Sequence, residues 1–230
     1  MISNRKFFKL SEEARMINKF FISSERFKEI NVNGDCELEK DSTIYHYVFD
    51  NVPYAFRQFP ILYENIKRLM ALKLNVHFDS IRLIGSAKTG FAIDPDHYGK
   101  EFSKNSDLDF AVADPSLFEE MRQEARQWMS DYRLGDIKPK ESEKKYWNAN
   151  FKLLPKNIDR GFIDENKIPR GQRYPHTNDI GNTMFLIKSN LKSFGYMEIK
   201  NCSVRVYKDI ECFYQQTFLN IYSSIEKISV

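Results

Sequence analysis

A period-two strand that runs directly into a capped helix, residues 107–132, constrains the fold of this chain more than any other feature. Asp107 and Asp109 project to one face of the predicted strand at 107–112, and Leu108 and Phe110 project to the other. Asp114 is placed as the N-cap of the helix, with Pro115 at its first position. The predicted inner face of this helix is an apolar stripe: Phe118, Met121, Ala125, Trp128 and Tyr132.

The remaining pattern interleaves strands and helices, which favours an α/β or α+β fold. Further strands are predicted at 80–84 and 203–207, and helices from Ser11 to about 21, at 60–74, at 179–195 and at 208–228. Residues 31–43 are rich in turn formers and are predicted to be a loop. Residues 134–178 hold four prolines and many charges, and they show no clean periodicity.

The composition of the chain indicates its cellular compartment more than its function. The chain has 230 residues and a formal net charge of +3, which neither requires nor excludes a nucleic-acid partner. Its three cysteines show no CxxC spacing, so a disulfide framework is not expected and a reducing, cytoplasmic setting fits better. The sequence shows no signal-peptide pattern and no apolar stretch long enough to cross a bilayer, so no membrane partner is expected.

The acidic pair Asp107 and Asp109 is a candidate metal site. Two carboxylates on one strand face repel each other, and they are tolerated when they are exposed or when a divalent cation lies between them. Magnesium suits such a pair because it prefers hard oxygen ligands and accepts the rest of its shell from water and substrate phosphates.

Gly85 and Ser86, at the end of the predicted strand 80–84, are candidate phosphate ligands. Gly85 has no Cβ, so a phosphate can approach the backbone closely, and Ser86 offers a hydroxyl donor. The amides of residues 87–90 are placed to begin a helix whose positive end faces an anion, and Lys88 adds charge there.

Gly85-Ser86, followed after a loop by Ser106-Asp107-Leu108-Asp109, resembles the signature of the DNA polymerase beta-like nucleotidyltransferase superfamily. The resemblance covers roughly residues 80–133. It implies a small mixed sheet with flanking helices, a triphosphate held by Gly85 and Ser86, and magnesium (or manganese) held by Asp107 and Asp109. The expected organisation is then an N-terminal helical or irregular region at 1–78, a nucleotidyltransferase-like core at 79–178, and C-terminal helices at 179–230 that complete the pocket.

Active members of that superfamily have a third carboxylate on a neighbouring strand, often the base that activates the attacking hydroxyl. Asp159 and Asp164 are the better candidates, Asp164 being the one assigned here, and Asp136 is a weaker one. The loop between Ser86 and Asp107 is longer than in the smallest members. If no third acid reaches the metals, the chain is expected to bind nucleotides without transferring them.

The expected function is metal-dependent transfer of a nucleoside monophosphate from a nucleoside triphosphate such as ATP to an unknown hydroxyl acceptor: a protein, an RNA or a nucleotide. The alternative is a degenerate nucleotide-binding module, a sensor or a component of a toxin–antitoxin or defence system. A P-loop is excluded because Phe91-Ala92 follows the second glycine of GSAKTG. A plain RNA-binding protein would need a continuous basic face, which the linear charge pattern does not show.

Overall fold

The computed structural model describes residues 21–33 and 36–229. Its helices are α1 (Ser24–Asn33), α2 (Glu37–Ile44), α3 (Pro60–Leu74), α4 (Ser86–Thr89), α5 (Pro115–Leu134), α6 (Lys144–Asp159), α7 (Pro175–Ser193) and α8 (Ile210–Ser229). Its strands are β1 (Ile81–Ile84), β2 (Asp107–Ala113), β3 (Phe162–Asp164) and β4 (Asn201–Tyr207). Short 3-10 or π turns lie at Tyr45–Phe49, Tyr54–Phe56, Phe78–Ser80 and Glu165–Lys167. The helix predicted from Ser11 lies outside the described residues, apart from its last position.

The four strands form one mixed sheet with the order β1-β2-β4-β3. β4 runs parallel to β2 and antiparallel to β3, so the last of these strands in the sequence lies between two earlier ones. The prediction of an α+β fold with a small mixed sheet is confirmed.

One face of the sheet is apolar and closed. The side chains on this face are buried to within 1% exposure: Leu108, Phe110 and Val112 of β2, Ile163 of β3, and Val204 and Val206 of β4. Because successive strand residues alternate between faces, the polar residues of the same strands all point to the opposite side.

The predicted strand-to-helix unit at 107–132 is confirmed. The Oδ1 atom of Asp114 accepts a hydrogen bond of 2.9 Å from the amide of Leu117, which satisfies one of the orphan donors of α5. The Trp128 side chain is fully buried and stacks on Tyr132 with a centroid separation of 6.0 Å. α3 has the predicted bounds, and β4 begins two residues before its predicted start.

α7 begins at Pro175, four residues before the predicted start at Asp179. The cause is a distant cap: the carboxylate of Glu124, on α5, accepts hydrogen bonds from the amides of His176 and Thr177 at 2.6 and 2.9 Å. A buried carboxylate at this position satisfies two orphan amides and suits the positive end of the helix dipole. The prediction that Gly195 terminates this helix is confirmed by its left-handed φ of 70°.

The prediction of a loop at 31–43 is wrong for most of its length. α1 continues to Asn33, and Glu37–Ile44 forms α2, with Thr43 and Ile44 buried. The polar residues that suggested a loop are compatible with a helix because Glu37 and Glu39 lie in the first turn of α2, where the helix dipole favours negative charge.

Residues 134–178, which show no clean periodicity in the sequence, are regular over about half of their length, because α6, β3 and the start of α7 lie within them. Pro155 lies inside α6 and lacks an amide donor, but it is exposed, so water can reach the neighbouring backbone. α6 packs on α5 through an aromatic cluster of Trp128, Tyr132, Trp147 and Phe151. This tertiary packing outweighs the local cost of the proline.

The described residues divide into two compact units. The first consists of 21–33, 36–60, 84–102 and 218–229, and the second of 61–83 and 103–217. Each unit combines segments that are separated in the sequence. The three consecutive regions expected from the sequence (1–78, 79–178 and 179–230) stay a prediction. Across 21–33 and 36–229, no helix is both long enough and apolar enough to cross a bilayer.

Candidate functional site

The polar face of the sheet in the second unit carries the predicted acidic residues. Asp107 lies opposite Asn201 and Asp109 opposite Ser203 in the parallel pairing of β2 with β4. On the other side of β4, Arg205 lies opposite Asp164 of β3. Since residues in register share a face, Asp109, Ser203, Arg205 and Asp164 lie side by side across three strands.

Asp109 is held by its neighbour on β4. The hydroxyl of Ser203 donates a hydrogen bond of 2.6 Å to Oδ1 of Asp109. Burial raises the pKa of Asp109; the hydrogen bond from Ser203 opposes this shift, and the charge of Asp107 adds to it. A partly desolvated carboxylate next to a second acid is a group that gains from a cation beside it.

Asp107 has an unsatisfied oxygen. Its Oδ1 atom is buried and has no hydrogen-bond partner among the described residues. An unsatisfied buried carboxylate oxygen costs free energy, because it has lost water without gaining a donor. The orphaned oxygen lies on the same strand face as Asp109, two residues away, which is the placement that the sequence predicted for a pair of metal ligands.

Asp164 is the candidate third carboxylate that the sheet brings to this face. Nε of Arg205 donates a hydrogen bond of 2.6 Å to Oδ1 of Asp164, while Oδ2 has no hydrogen bond with any described residue. The Arg205 guanidinium also lies over the Phe162 ring, 4.6 Å from its centroid. Asp159 and Asp136, the other candidates, are exposed: Asp159 at the end of α6 and Asp136 in the turn after α5.

Gly85 and Ser86 belong to the first unit. Gly85 has φ 66° and ψ −156°, a conformation that is essentially restricted to glycine, and its carbonyl accepts hydrogen bonds from the amides of Lys88 and Thr89. It precedes the short helix α4, in agreement with the predicted helix start. Gly85 is exposed and Ser86 half-buried; their role in holding a phosphate stays a prediction from the motif.

Lys88 is buried, and its partners are backbone carbonyls. Its side chain is 3% exposed, and its ammonium donates hydrogen bonds to the backbone carbonyls of Asp50 and Asn51. An ammonium held by two carbonyls inside the protein is well satisfied without an anion. Lys88 therefore has structural partners, and no nucleotide-binding role is assigned to it.

Ser203 and Arg205 are the members of this face that sequence reasoning did not single out. Their signal is the alternation in NCSVRVY, where buried Cys202, Val204 and Val206 leave the residues between them on the polar face. The pairing partner could not be read locally, because Asp109 and Ser203 are 94 residues apart.

Three further polar residues are close to carboxylates outside the polar face of the sheet. Nδ1 of His97 lies 2.9 Å from Oδ1 of Asp94, and Arg173 forms an ion pair of 3.3 Å with Asp131. Arg170 lies 3.9 Å from Glu165. In the described part of the chain, no three His, Cys, Asp or Glu side chains form a group that could hold a metal by themselves.

Comparisons of the chain with protein-family models, curated proteins and solved structures found no match. The case for a function therefore rests on the residues of this chain.

Proposed function

We propose that the chain binds a nucleoside triphosphate together with magnesium at the polar face of the sheet, and that it transfers the nucleoside monophosphate to a hydroxyl acceptor. The observation that carries this proposal is the orphaned, buried Oδ1 of Asp107 beside the half-buried carboxylate of Asp109. The Gly85-Ser86 motif supports it independently from the sequence.

The donor set fits magnesium. Asp107 and Asp109 would hold the ion through hard carboxylate oxygens, one of which has no partner among the described residues. Two protein ligands suffice for magnesium, because water and substrate phosphates complete its shell. The pair Asp107 and Asp109 is therefore compatible with magnesium although no third acid joins it among the described residues. When bound, magnesium supplies positive charge that neutralises the triphosphate.

The residues of β3 and β4 orient the carboxylates and move the proton. Ser203 fixes the Asp109 side chain through Oδ1. Arg205 fixes Asp164 through Oδ1 and leaves Oδ2 to accept the proton of the attacking hydroxyl. The acceptor oxygen then attacks the α-phosphorus, the bond to the bridging oxygen breaks, and pyrophosphate leaves with its electron pair.

The test is calorimetric titration of the protein with ATP, GTP, CTP and UTP, with and without magnesium. The wild type is compared with Asp107→Asn, and Asp136→Asn is the matched control because Asp136 is an exposed acid away from the sheet. We expect magnesium-dependent binding in the wild type and the control, and its loss in Asp107→Asn. Equal binding in all three proteins would overturn the proposed site.

A second candidate function, nucleotide binding without transfer, is favoured by the ion pair between Asp164 and Arg205. The guanidinium accounts for the position of this carboxylate as a structural ion pair, without any catalytic role. Release of pyrophosphate from a bound triphosphate separates the two functions. Magnesium-dependent binding with no pyrophosphate release, tested with protein, RNA and nucleotide acceptors, would support the non-catalytic module.

A further inference from the structure

α6 carries a basic stripe along its exposed side. Lys145, Lys152, Lys156 and Arg160 are all exposed, and their spacings of seven, four and four residues place them on one side of the helix. Asp159 is the only acid in α6. We refer to these four residues as the α6 basic stripe.

The α6 basic stripe is not neutralised within the described chain. None of its four side chains takes part in an ion pair or hydrogen bond with another described residue. The adjacent Lys144, which is not part of the stripe, forms an ion pair with Glu141, with 3.9 Å between Nζ and Oε1. The opposite side of α6 is fixed to the protein by Trp147 and Phe151, which pack on α5, and by buried Leu154. The cations are therefore presented to solvent by a rigid element rather than by a loop.

The stripe continues beyond the end of the helix. Gly161, which follows Arg160, accepts a hydrogen bond of 2.9 Å from the amide of Lys208, and Lys208 is exposed. At a rise of about 1.5 Å per residue, the successive cations of the stripe lie about 10, 6 and 6 Å apart along the axis. A row of point charges at such intervals is complementary to a polyanion with regularly repeated charges.

The neighbours of the stripe distinguish among polyanions. Tyr146, 70% exposed, and Leu153, 43% exposed, are seven residues apart and therefore form a line beside the stripe. An exposed ring beside a basic track suits unpaired bases, which stack on aromatic side chains. A membrane surface fits less well, because the apolar side of α6 is already packed against α5 and is not available for insertion.

We infer that the α6 basic stripe binds the phosphate backbone of a single-stranded nucleic acid, with Tyr146 stacking on a base. This inference does not require the proposed nucleotidyl transfer, since the stripe contains none of the residues assigned to that reaction. It also revises the expectation from the linear charge pattern: a basic track exists, and it becomes visible only when residues 144–159 fold as a helix.

The test is fluorescence anisotropy of a labelled oligouridylate of about 20 nucleotides, measured over a series of salt concentrations without any nucleoside triphosphate. The stripe variant is Lys145→Gln/Lys152→Gln/Lys156→Gln. The matched control, Lys73→Gln/Lys100→Gln/Lys227→Gln, removes the same charge from exposed positions elsewhere. At about 0.7 per phosphate contact on a single strand, we expect the salt slope of the stripe variant to fall by about 2, with affinity reduced about tenfold or more.

Three results would overturn the inference. The first is equal loss of affinity in the stripe variant and the control, which would show a general charge effect. The second is that Tyr146→Ala leaves affinity unchanged while a duplex of the same length binds as tightly as the single strand. The third is that the stripe variant loses binding to phosphatidylserine vesicles but keeps its affinity for the oligouridylate. Circular dichroism of each variant verifies that it is folded.

Discussion

The hydroxyl of Ser203 donates a hydrogen bond of 2.6 Å to Oδ1 of Asp109, and this bond joins the acidic strand β2 to the central strand β4. It orients one carboxylate of the candidate metal pair, and it opposes the rise in pKa that burial imposes on Asp109. Both effects favour an ionised Asp109 with a fixed rotamer, which is the form that binds a cation.

Ser203→Ala is expected to weaken magnesium-dependent nucleotide binding several-fold, because Asp109 loses the donor that orients it. The free energy of unfolding should fall by only about 1 kcal/mol, the usual net contribution of one hydrogen bond. Calorimetry and urea unfolding measure the two effects separately. Ser203→Thr keeps the hydroxyl and should retain binding; a loss in Thr as large as that in Ala would contradict the role of the hydrogen bond.

Glu165→Gln is expected to change how stability depends on pH. Glu165 is 2% exposed, and burial raises its pKa from 4.5 to about 7, with Arg170 at 3.9 Å offsetting only part of the shift. Between these values the folded protein keeps a proton that the unfolded chain has released. This contribution to stability is therefore fully present below pH 4.5 and is lost as pH rises through 7.

Glutamine mimics the protonated acid, so the variant should match the wild type near pH 4.5 and be more stable than it above pH 7, by up to about 3 kcal/mol. Urea unfolding at the two pH values measures the difference. The control is Glu141→Gln, at an exposed position. Its free energy of unfolding should change with pH by the same amount as that of the wild type. If the free energy of unfolding of Glu165→Gln also changed with pH as that of the wild type does, Glu165 would not be a buried titrating group.

Glu124→Ala is expected to lower the free energy of unfolding by about 3 kcal/mol. The carboxylate accepts bonds from two amides at the start of α7 and a third, of 2.7 Å, from the hydroxyl of Thr177, and all three donors lose their partner together. Gln123→Ala, at an exposed neighbouring position on α5, is the control. Equal unfolding midpoints for the two variants would mean that this buried cap does not stabilise the start of α7.

Lys88→Met tests whether Lys88 has a structural role. Two backbone carbonyls lose their donor, so stability should fall by about 2 kcal/mol, while the nucleotide affinity of the folded fraction stays at the wild-type value. The control is Lys100→Met, which removes an exposed lysine from the same unit. Loss of nucleotide affinity with unchanged stability would instead restore the phosphate-binding role expected from the sequence.

The sequence predicted best the elements whose signals are local. The Asp114 cap, the stripe of α5 and the alternation of β2 all lie within 30 residues, and all three are confirmed. The sequence does not predict α6, because Pro155 and the charged residues hide a periodicity that packing against Trp128 and Tyr132 enforces. The α6 basic stripe is not predicted for the same reason, because its four cations lie on one side only when these residues form a helix.

For the candidate site, the sequence predicted the acidic pair and included Asp164 among three possible third acids. It could not predict Ser203 or Arg205, because register in a sheet depends on strands distant in sequence. The sequence predicts Lys88 as a phosphate ligand because it adds charge at a helix start that faces an anion. The structure shows instead that its chain reaches inward to carbonyls of residues 50 and 51.

The position of β4 has a consequence for synthesis of the protein. β2 and β3 leave the ribosome before β4, which must insert between them, so the edge of each strand that pairs with β4 is unpaired until residue 207 has emerged. Such edges invite pairing with other nascent chains, and the long sequence separations slow the closing step. Because Ser203 and Arg205 arrive on β4, the acidic face acquires its neighbours in the same folding step that completes the sheet.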